Sequence, residues 1–451
     1  MQKVNGSISE LFVEVIDSEI VLFMLSTAKK TIETEECFIL KEKTISEITV
    51  IDSIMGSGKT SWSIQHINHS PFENFLYITP FLEEVERIIN NTNRDFKQPI
   101  NKGSGKLASI NDLLACQSDI ASTHELFKHL DEESRENIIN GHYTLILDEV
   151  LNVIEPYDNI RNDDMKLLRE SGCVTVDEDG FVIWNKEKMD YDTKYNEIKI
   201  LADNKSLIYI NQKLLLWRYP PEIFTLFDKI YILTYLFESS ILKNYFDLYE
   251  IKYEQKSIKE QDNQYCITDF LIPDTSVYID KIKIYEGKLN ENINQKINGL
   301  SVTWFRAKIN KENIRQIRKN IYNYFTNIVN AKSETIMWTT FKDYRTKLKG
   351  KGYSNQFVSY NCRSTNKYDE TYNLAYCVNV YLHPGITQFF KQRGINIDED
   401  LYGLSEMIQW IWRSRIRKGE NINIYIPSMR MRNLLNAWMK MNLEYQNRIA
   451  S

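Results

Sequence analysis

Lys59 and Thr60 stand together behind two closely spaced glycines in the run Val50-Ile51-Asp52-Ser53-Ile54-Met55-Gly56-Ser57-Gly58-Lys59-Thr60-Ser61-Trp62. Glycines let backbone N–H groups close around an anion, an ammonium adds a point charge, and a neighbouring hydroxyl suits a magnesium ion. This pattern reads as a phosphate-binding loop for a nucleoside triphosphate, with Ser53 where G-x-x-x-x-G-K-[ST] begins on glycine. Its cradle comprises Ser53, Gly56, Ser57, Gly58, Lys59, Thr60 and Ser61. A second set follows in Tyr143-Thr144-Leu145-Ile146-Leu147-Asp148-Glu149, an apolar run ending in two acids. Asp148 could hold Mg²⁺ beside Thr60 while Glu149 polarises the attacking water. Paired acids after a strand also occur as a plain helix N-cap region. A third set is Gln409, Arg413 and Arg417, recurring at i, i+4 and i+8. On a predicted helix Leu404–Arg417 they share a face, and a guanidinium suits the γ-phosphate as charge develops during transfer. Such a face equally fits solvent or nucleic-acid phosphates.

The elements that must position these groups are mostly buried strands. Ile48–Ile51 precedes the glycine turn, and Trp62, Ile64 and Ile67 give the following segment helical spacing. Phe75–Thr79, closed by Pro80, is a second strand, and its helix carries Phe81, Val85 and Ile88 on one side. Ile120–Thr123 is a short strand. In an open α/β sheet, nucleotides bind at the carboxyl ends of the strands, where the first two sets would meet. The Gly-Ser-Gly-Lys of residues 103–106 is a decoy, because Leu107 stands where a hydroxyl is required and no strand precedes it.

Residues 1–45 suggest a small β segment, and 46–250 a first α/β domain. Within it, 157–205 is charged and carries a predicted hairpin, Cys173–Trp184 around Asp179-Gly180, so it reads as an insertion. Ile208–Trp217 and Ile230–Thr234 return to strand patterns, and the polar region 251–300 reads as the boundary between domains. Residues 301–451 form a second α/β unit: helices over Ile314–Ile328 and Leu404–Arg417, strands over Thr335–Thr339, Phe357–Ser359, Ala375–Leu382 and Ile422–Ile426, and a basic helix or turn over Phe341–Leu348. No second phosphate loop and no repeat is visible there.

With 43% apolar and 12% aromatic residues among 451, the chain can build sizeable cores and is not of the disordered class. Its six cysteines contain no C-x-x-C pair, which argues for a reducing compartment and against structural zinc. His66/His69 and His124/His129 lack partners at ligand spacing. No apolar run approaches the ~18 residues of a membrane span, so the expectation is a cytoplasmic protein without a membrane partner. The formal net charge of −5 conceals an asymmetry. Residues 301–451 hold 24 Lys and Arg against 11 Asp and Glu, net +13, leaving 32 basic and 50 acidic residues before them, net −18. A basic second half fits a polyanion, or merely an uneven solvated surface.

Taken as an ordered series over roughly residues 46–430, these motifs resemble those of superfamily 2 helicases and translocases, of the divergent type encoded by phages of low-GC bacteria. Ser53–Thr60 resembles motif I, in which serine or alanine at the first position is familiar among helicases. Tyr77-Ile78-Thr79-Pro80 resembles motif Ia, Ser122-Thr123-His124 motif Ib, and Leu147-Asp148-Glu149-Val150 motif II. Leu233-Thr234-Tyr235 stands at motif III, Trp338-Thr339-Thr340-Phe341 resembles motif IV, Arg363-Ser364-Thr365-Asn366 motif V, and Gln409 to Arg417 motif VI. Arg413 matches the first arginine of motif VI. Ile416 occupies the usual place of the second, so that finger is Arg415 or Arg417, with helical geometry favouring Arg417.

The resemblance implies an α/β fold of two RecA-like parallel-sheet domains in tandem, with ATP and Mg²⁺ in the cleft between them. It implies catalytic roles for Lys59, Asp148, Glu149, Gln409, Arg413 and Arg417, with Thr60 and Asp148 on the metal. Nucleic acid, single-stranded or tailed DNA or else RNA, would cross both domains on Thr79, Pro80, Thr123, Thr339, Arg363, Ser364 and Thr365. The function implied is an ATP-dependent helicase or translocase in phage replication, recombination or repair, working in the host cytoplasm with phage replication or recombination proteins as possible partners. A duplex-translocating ATPase and a nucleotide-switched nucleic-acid-binding regulator are the alternatives.

Overall fold

The computed structural model describes residues 46–450 apart from 102–104, 189–193, 292–296 and 363–366. The predicted N-terminal β segment and the motif V residues Arg363, Ser364 and Thr365 lie outside the described residues. The chain begins with β1 (Glu47–Asp52), β2 (Asn74–Thr79), β3 (Ile120–Thr123) and β4 (Tyr143–Asp148). An intervening block holds β5 (Ile154–Pro156), β6 (Val174–Val176), β7 (Val182–Trp184), β8 (Leu207–Ile210) and β9 (Leu214–Arg218). Then come β10 (Lys229–Thr234), β11 (Glu254–Gln261) and β12 (Gln264–Asp269). The second half contributes β13 (Ile282–Ile284), β14 (Ile336–Thr339), β15 (Asn373–Tyr376) and β16 (Ile422–Tyr425).

Two parallel sheets in tandem result. The first has the order β12-β11-β1-β10-β4-β2-β3, parallel throughout except for β12, and the second runs β13-β16-β15-β14, all parallel. Parallel strands covered by helices are buried on both faces, so they read as continuous apolar runs. Val50, Ile51, Phe75–Ile78, Leu145–Leu147, Ile232 and Leu233 are all shut off from solvent. Each such side chain contributes about 1.5–3 kcal/mol by leaving water. β1, β10 and β4 lie side by side at the centre, so the loops after them open at one carboxyl edge.

Several boundaries differ from those read in the sequence. The inserted block runs to β9, because Ile208–Trp217 folds back as an antiparallel hairpin instead of rejoining the parallel sheet. Asn211 and Gln212 both take left-handed backbone conformations (φ 49° and 54°), which turns the chain between β8 and β9. The predicted boundary region divides between the two sheets. Its first part is the β11–β12 hairpin, closed by Asp262 and Asn263 in left-handed conformations (φ 52° and 62°), and its second part supplies β13. The hairpin is polar because it is a solvated sheet extension, not because it is a linker. β15 ends at Tyr376, ahead of the predicted Leu382, since the next residues leave the ladder: Asn379 N–H donates to Leu300 O.

The helix Pro384–Gln392 belongs in sequence to the second half, yet Ile386, Phe389 and Phe390 pack into the core of the first sheet and the inserted block. Conversely, Met55 and Tyr235 from the first half pack in the cluster of Trp410, Trp412, Ile416 and Trp438. The halves are thus joined by two apolar seams. Among the described residues no helix is long and apolar enough to cross a membrane.

Candidate nucleotide site at the junction of the two sheets

β1 delivers the glycine loop to the N-terminus of the helix Lys59–His69. Gly56 and Gly58 have φ of 88° and 92°, conformations that a side chain disfavours. At Gly58 glycine is needed twice over, since an added Cβ would lie 2.1 Å from the Tyr265 ring. The first turn of the helix carries no acidic residue, so its positive end is not neutralised locally. The Lys59 ammonium folds back over the loop onto Ser53 O and Ile54 O, the latter at 3.1 Å. Burial lowers its pKa, and the charges of Glu149, Asp52 and Asp148 oppose that shift. The Ser57 hydroxyl is buried without a hydrogen-bond partner, as befits a loop built to receive polar atoms.

Two residues at the base of the loop tie it to the rest of the sheet. Asp52 accepts hydrogen bonds from Leu236 N and Phe237 N, both at 2.9 Å, and from Gln255 Nε2 at 3.0 Å. Burial nevertheless pushes its carboxyl up to about 6. Ser53 accepts from Ile258 N at 3.0 Å, which gives the hydroxyl in place of the usual glycine a structural partner on β11. Sequence reasoning missed Asp52; the available signal was an acid closing a buried strand immediately before a glycine loop.

β4 sets the opposite wall. Asp148 is buried and accepts from Thr79 Oγ1 at 3.4 Å. Burial, reinforced by Glu149 and Glu84, raises its carboxyl to about 7, with Lys59 and Arg87 opposing. Glu149 has φ 67°, and its N–H donates to Leu233 O at 2.9 Å. A non-glycine residue held in this region stores about 1–3 kcal/mol, a cost found repeatedly where a side chain must be aimed. The His124 ring nitrogen Nε2 lies 3.1 Å from Asp148 O.

The motif VI region departs from its expected form. The α-helix spans Glu399–Ile411 and stops, so Gln409, Arg413 and Arg417 do not share one helical face. Ser414, fully buried, donates to Ile411 O at 2.7 Å and accepts from Ile416 N, competing with helical hydrogen bonding and starting a separate 3₁₀ turn, Arg415–Lys418. Gln409 lies inside the second half, with Nε2 on Ser405 Oγ at 3.1 Å and Oε1 without a partner. Arg413 is 4% exposed and close enough to Cys362 for its charge to lower that thiol's pKa against the dominant effect of burial. Arg415 is engaged elsewhere, its guanidinium 3.8 Å over the Tyr372 ring and its Nε on Asn421 O at 2.6 Å. Arg417 instead reaches the glycine loop: an added Cβ on Gly56 would sit 3.6 Å from its Cγ and 3.7 Å from its Nε. Burial, followed by Arg87, lowers the pKa of Arg417, and Arg417 in turn acts on Lys59.

The structure therefore gathers Lys59, Asp148, Glu149 and Arg417 at one place, from both sheets. It places other expected contacts elsewhere. Thr79 and Thr339 are fully buried, so neither offers a surface hydroxyl for a nucleic-acid phosphate: Thr79 points at Asp148, and Thr339 Oγ1 has no hydrogen-bond partner. Thr123 caps the helix His124–Phe127 by accepting from Leu126 N. Pro80 is half-buried in the bend that follows β2, next to the end of the β2–β3 pairing at Thr79 and Thr123. The combination of glycine-bounded N–H groups, an ammonium, a guanidinium and two carboxylates suits a magnesium-bound polyphosphate. The orphaned Ser57 hydroxyl and the Asp148 carboxyl, which burial raises to about 7, agree with that donor set.

Residues 276–439 match the family described as YonV C-terminal Rossmann-like domain, and residues 154–217 that described as YonV middle domain, which coincides with the inserted block. Among solved structures, the chain is similar to apo XPD (TM-score 0.48, 11% identity, covering 88% of this chain and 95% of that one). It is also similar to S. tokodaii Xpd4 (TM-score 0.47, 10% identity, covering 87% and 94%). A relative is the SPbeta prophage-derived uncharacterized protein YonV of Bacillus subtilis (strain 168), 41% identical over 414 residues that make up 88% of this chain and 99% of that protein. The chain belongs to the YonV family.

Proposed function

We propose that this protein is a nucleic-acid-dependent ATPase of the superfamily 2 helicase or translocase type. One observation carries the reading: a guanidinium from the second half, Arg417, lies against the glycine loop of the first. A phosphate loop alone would suit a kinase or a switch. An arginine supplied by the other sheet makes hydrolysis depend on how the two halves stand, which is what a motor requires.

In this reading the loop N–H groups and Lys59 bind the β and γ phosphates of ATP, and Ser57 meets a phosphate oxygen. Thr60 and Asp148 would hold Mg²⁺, which would neutralise charge on the phosphates. Glu149, aimed by its left-handed backbone, orients the attacking water and accepts its proton. Arg417 stabilises charge on the transferring phosphoryl group. Gln409 and Arg413 act from inside the second half by supporting the turn that carries Arg417. Loss of the γ-phosphate changes the charge that Arg417 and Lys59 face, so the halves shift and pull on a bound strand. Contacts to phosphates carry no base information, so binding is sequence-tolerant and weakens with salt. The prophage origin of the relative supports a role on phage DNA, in replication, recombination or repair.

The test is ATP hydrolysis with and without single-stranded DNA, RNA and duplex, paired with strand separation on tailed substrates of both polarities. Strong stimulation by single strands with unwinding is the expected result. Turnover indifferent to every nucleic acid would overturn the motor and leave a switch, and stimulation by duplex alone would leave a translocase that does not separate strands.

A further inference from the structure

The chain immediately after β14 runs Phe341-Lys342-Asp343-Tyr344-Arg345-Thr346-Lys347-Leu348-Lys349-Gly350-Lys351-Gly352-Tyr353. Its apolar and charged residues are sorted by the fold. Tyr344, Leu348 and Tyr353 are buried in the core beside β14, whereas Lys342, Arg345, Lys347, Lys349 and Lys351 are all exposed. Arg318 is exposed on the helix Lys311–Asn323, which packs against this segment, and its charge is felt by Tyr353. Asp343 is the single acid in the stretch.

This segment is pinned. Tyr353 donates its hydroxyl to Leu348 O at 2.6 Å, and Trp338 Nε1 on β14 donates to Tyr353 O at 2.7 Å. Ser354 Oγ donates to Gly350 O at 2.6 Å, and Lys349 N to Arg345 O at 2.9 Å. Gly352, at φ 86°, makes the tight return. Arg345 and Lys347 lie over the faces of Phe357 and Tyr344, each at 4.8 Å, so their stems are steadied while the charges remain outside.

Several cations elsewhere in the protein are paired with acids. Lys243 sits between Glu238 and Asp247, Lys256 between Glu254 and Asp269, and Lys418 between Asp369 and Glu370. None of the six cations around 342–351 pairs with a described carboxylate. Six like charges held together without acids raise each other's energy, and a linear polyanion relieves that cost by exchanging its own condensed counterions for them. A preordered backbone means that little conformational entropy is lost on binding.

We propose that Lys342–Lys351, with Arg318, is a rigid cationic rail that grips the phosphate backbone of a nucleic-acid strand leaving the carboxyl edge of β14. The proposal rests on the nucleic-acid reading above and adds its main electrostatic anchor, in place of the buried Thr339. Contacts of this kind set register and affinity and do not select bases.

The test is the full chain carrying K347Q/K349Q/K351Q, titrated with a labelled single-stranded oligonucleotide over a series of salt concentrations. At low salt the affinity falls by roughly 10-fold or more, and the slope of log affinity against log salt becomes shallower by about 2, at about 0.7 per lost single-strand phosphate contact. Hydrolysis of ATP without nucleic acid and thermal stability stay at wild-type levels. Neutralising the paired Lys128 and Lys243 in a control variant leaves the slope unchanged. Wild-type affinity and slope in the triple variant overturn the rail while leaving the motor intact. A wild-type chain that binds no oligonucleotide, or that prefers phosphatidylserine vesicles, overturns both the rail and the nucleic-acid reading.

Discussion

The two sheets share an architecture of parallel strands under helices, but their carboxyl edges are built for different tasks. The first sheet ends in reactive groups: the glycine loop after β1, Asp148 and Glu149 after β4, and the Asp52-bound turn after β10. The second sheet has no glycine loop, and its edge offers a 3₁₀ turn bearing Arg417 and a pinned loop bearing exposed cations. What differs is where charge is buried. In the first half carboxylates and an ammonium are desolvated together, which moves Asp52 to about 6 and Asp148 to about 7. In the second most cations remain in water, although Arg413, Arg417, Arg430 and Arg432 are drawn inside. A shared fold therefore says where loops open, and the residues on those loops decide what each edge presents.

The sharpest way to break this comparison is to remove the guanidinium that the second half sets against the glycine loop of the first. Arg417→Ala is expected to lower kcat on the order of 10³-fold with ATP affinity nearly kept, whereas Arg415→Ala, whose guanidinium is engaged with Tyr372 and Asn421, leaves turnover within a few-fold. Equal losses in both variants, measured by steady-state hydrolysis, would remove the distinction. Lys59→Ala should cost about 10²- to 10³-fold in turnover and weaken nucleotide binding as well, because its charge acts on the ground state too. Calorimetric titration with a non-hydrolysable nucleotide reads the binding part, and undiminished affinity would count against the loop.

Asp148→Asn separates burial from catalysis. A carboxyl whose folded pKa lies near 7 against an ordinary 3.8 favours the fold fully below pH 4 and loses that contribution as pH rises through 7. Without nucleotide, the variant should therefore melt several degrees above wild type at pH 8, by a smaller margin at pH 5 and nearly level with it at pH 4, while failing to hydrolyse ATP. A pH-independent difference would mean that Asp148 is not desolvated. The smallest effect is expected for Ser53→Gly, which deletes the hydrogen bond to Ile258 N and should cost about 1 kcal/mol in denaturant unfolding with turnover retained. No change would show that β11 is held without it.

Much of the first half was legible because its signals are contiguous. A buried strand, a glycine turn and a helix follow one another within β1 to His69, and the strand ending in Asp148-Glu149 is equally local. The polar β11–β12 hairpin was not legible, since a solvated sheet extension and a linker have the same composition; only the left-handed pair Asp262-Asn263 hinted at a turn. The helix carrying Gln409 was recognised but read six residues past its end at Ile411, which leaves Arg413 off its face, because the break depends on the buried hydroxyl of Ser414. Thr79 and Thr339 fit a surface role by position alone, yet each strand delivers its threonine to the interior.

What the amino-acid order alone determined is the inventory: a glycine loop before a lysine, a pair of acids after a buried strand, an arginine-bearing segment and a basic second half. These are set by neighbours a few residues apart, where backbone geometry and burial leave a periodic trace. Only the tertiary structure decided which arginine meets the loop, which threonines turn inward, and that a helix from the second half seals the core of the first. Those choices depend on side chains far apart in the chain competing for the same space and the same hydrogen bonds, and no local pattern records who wins.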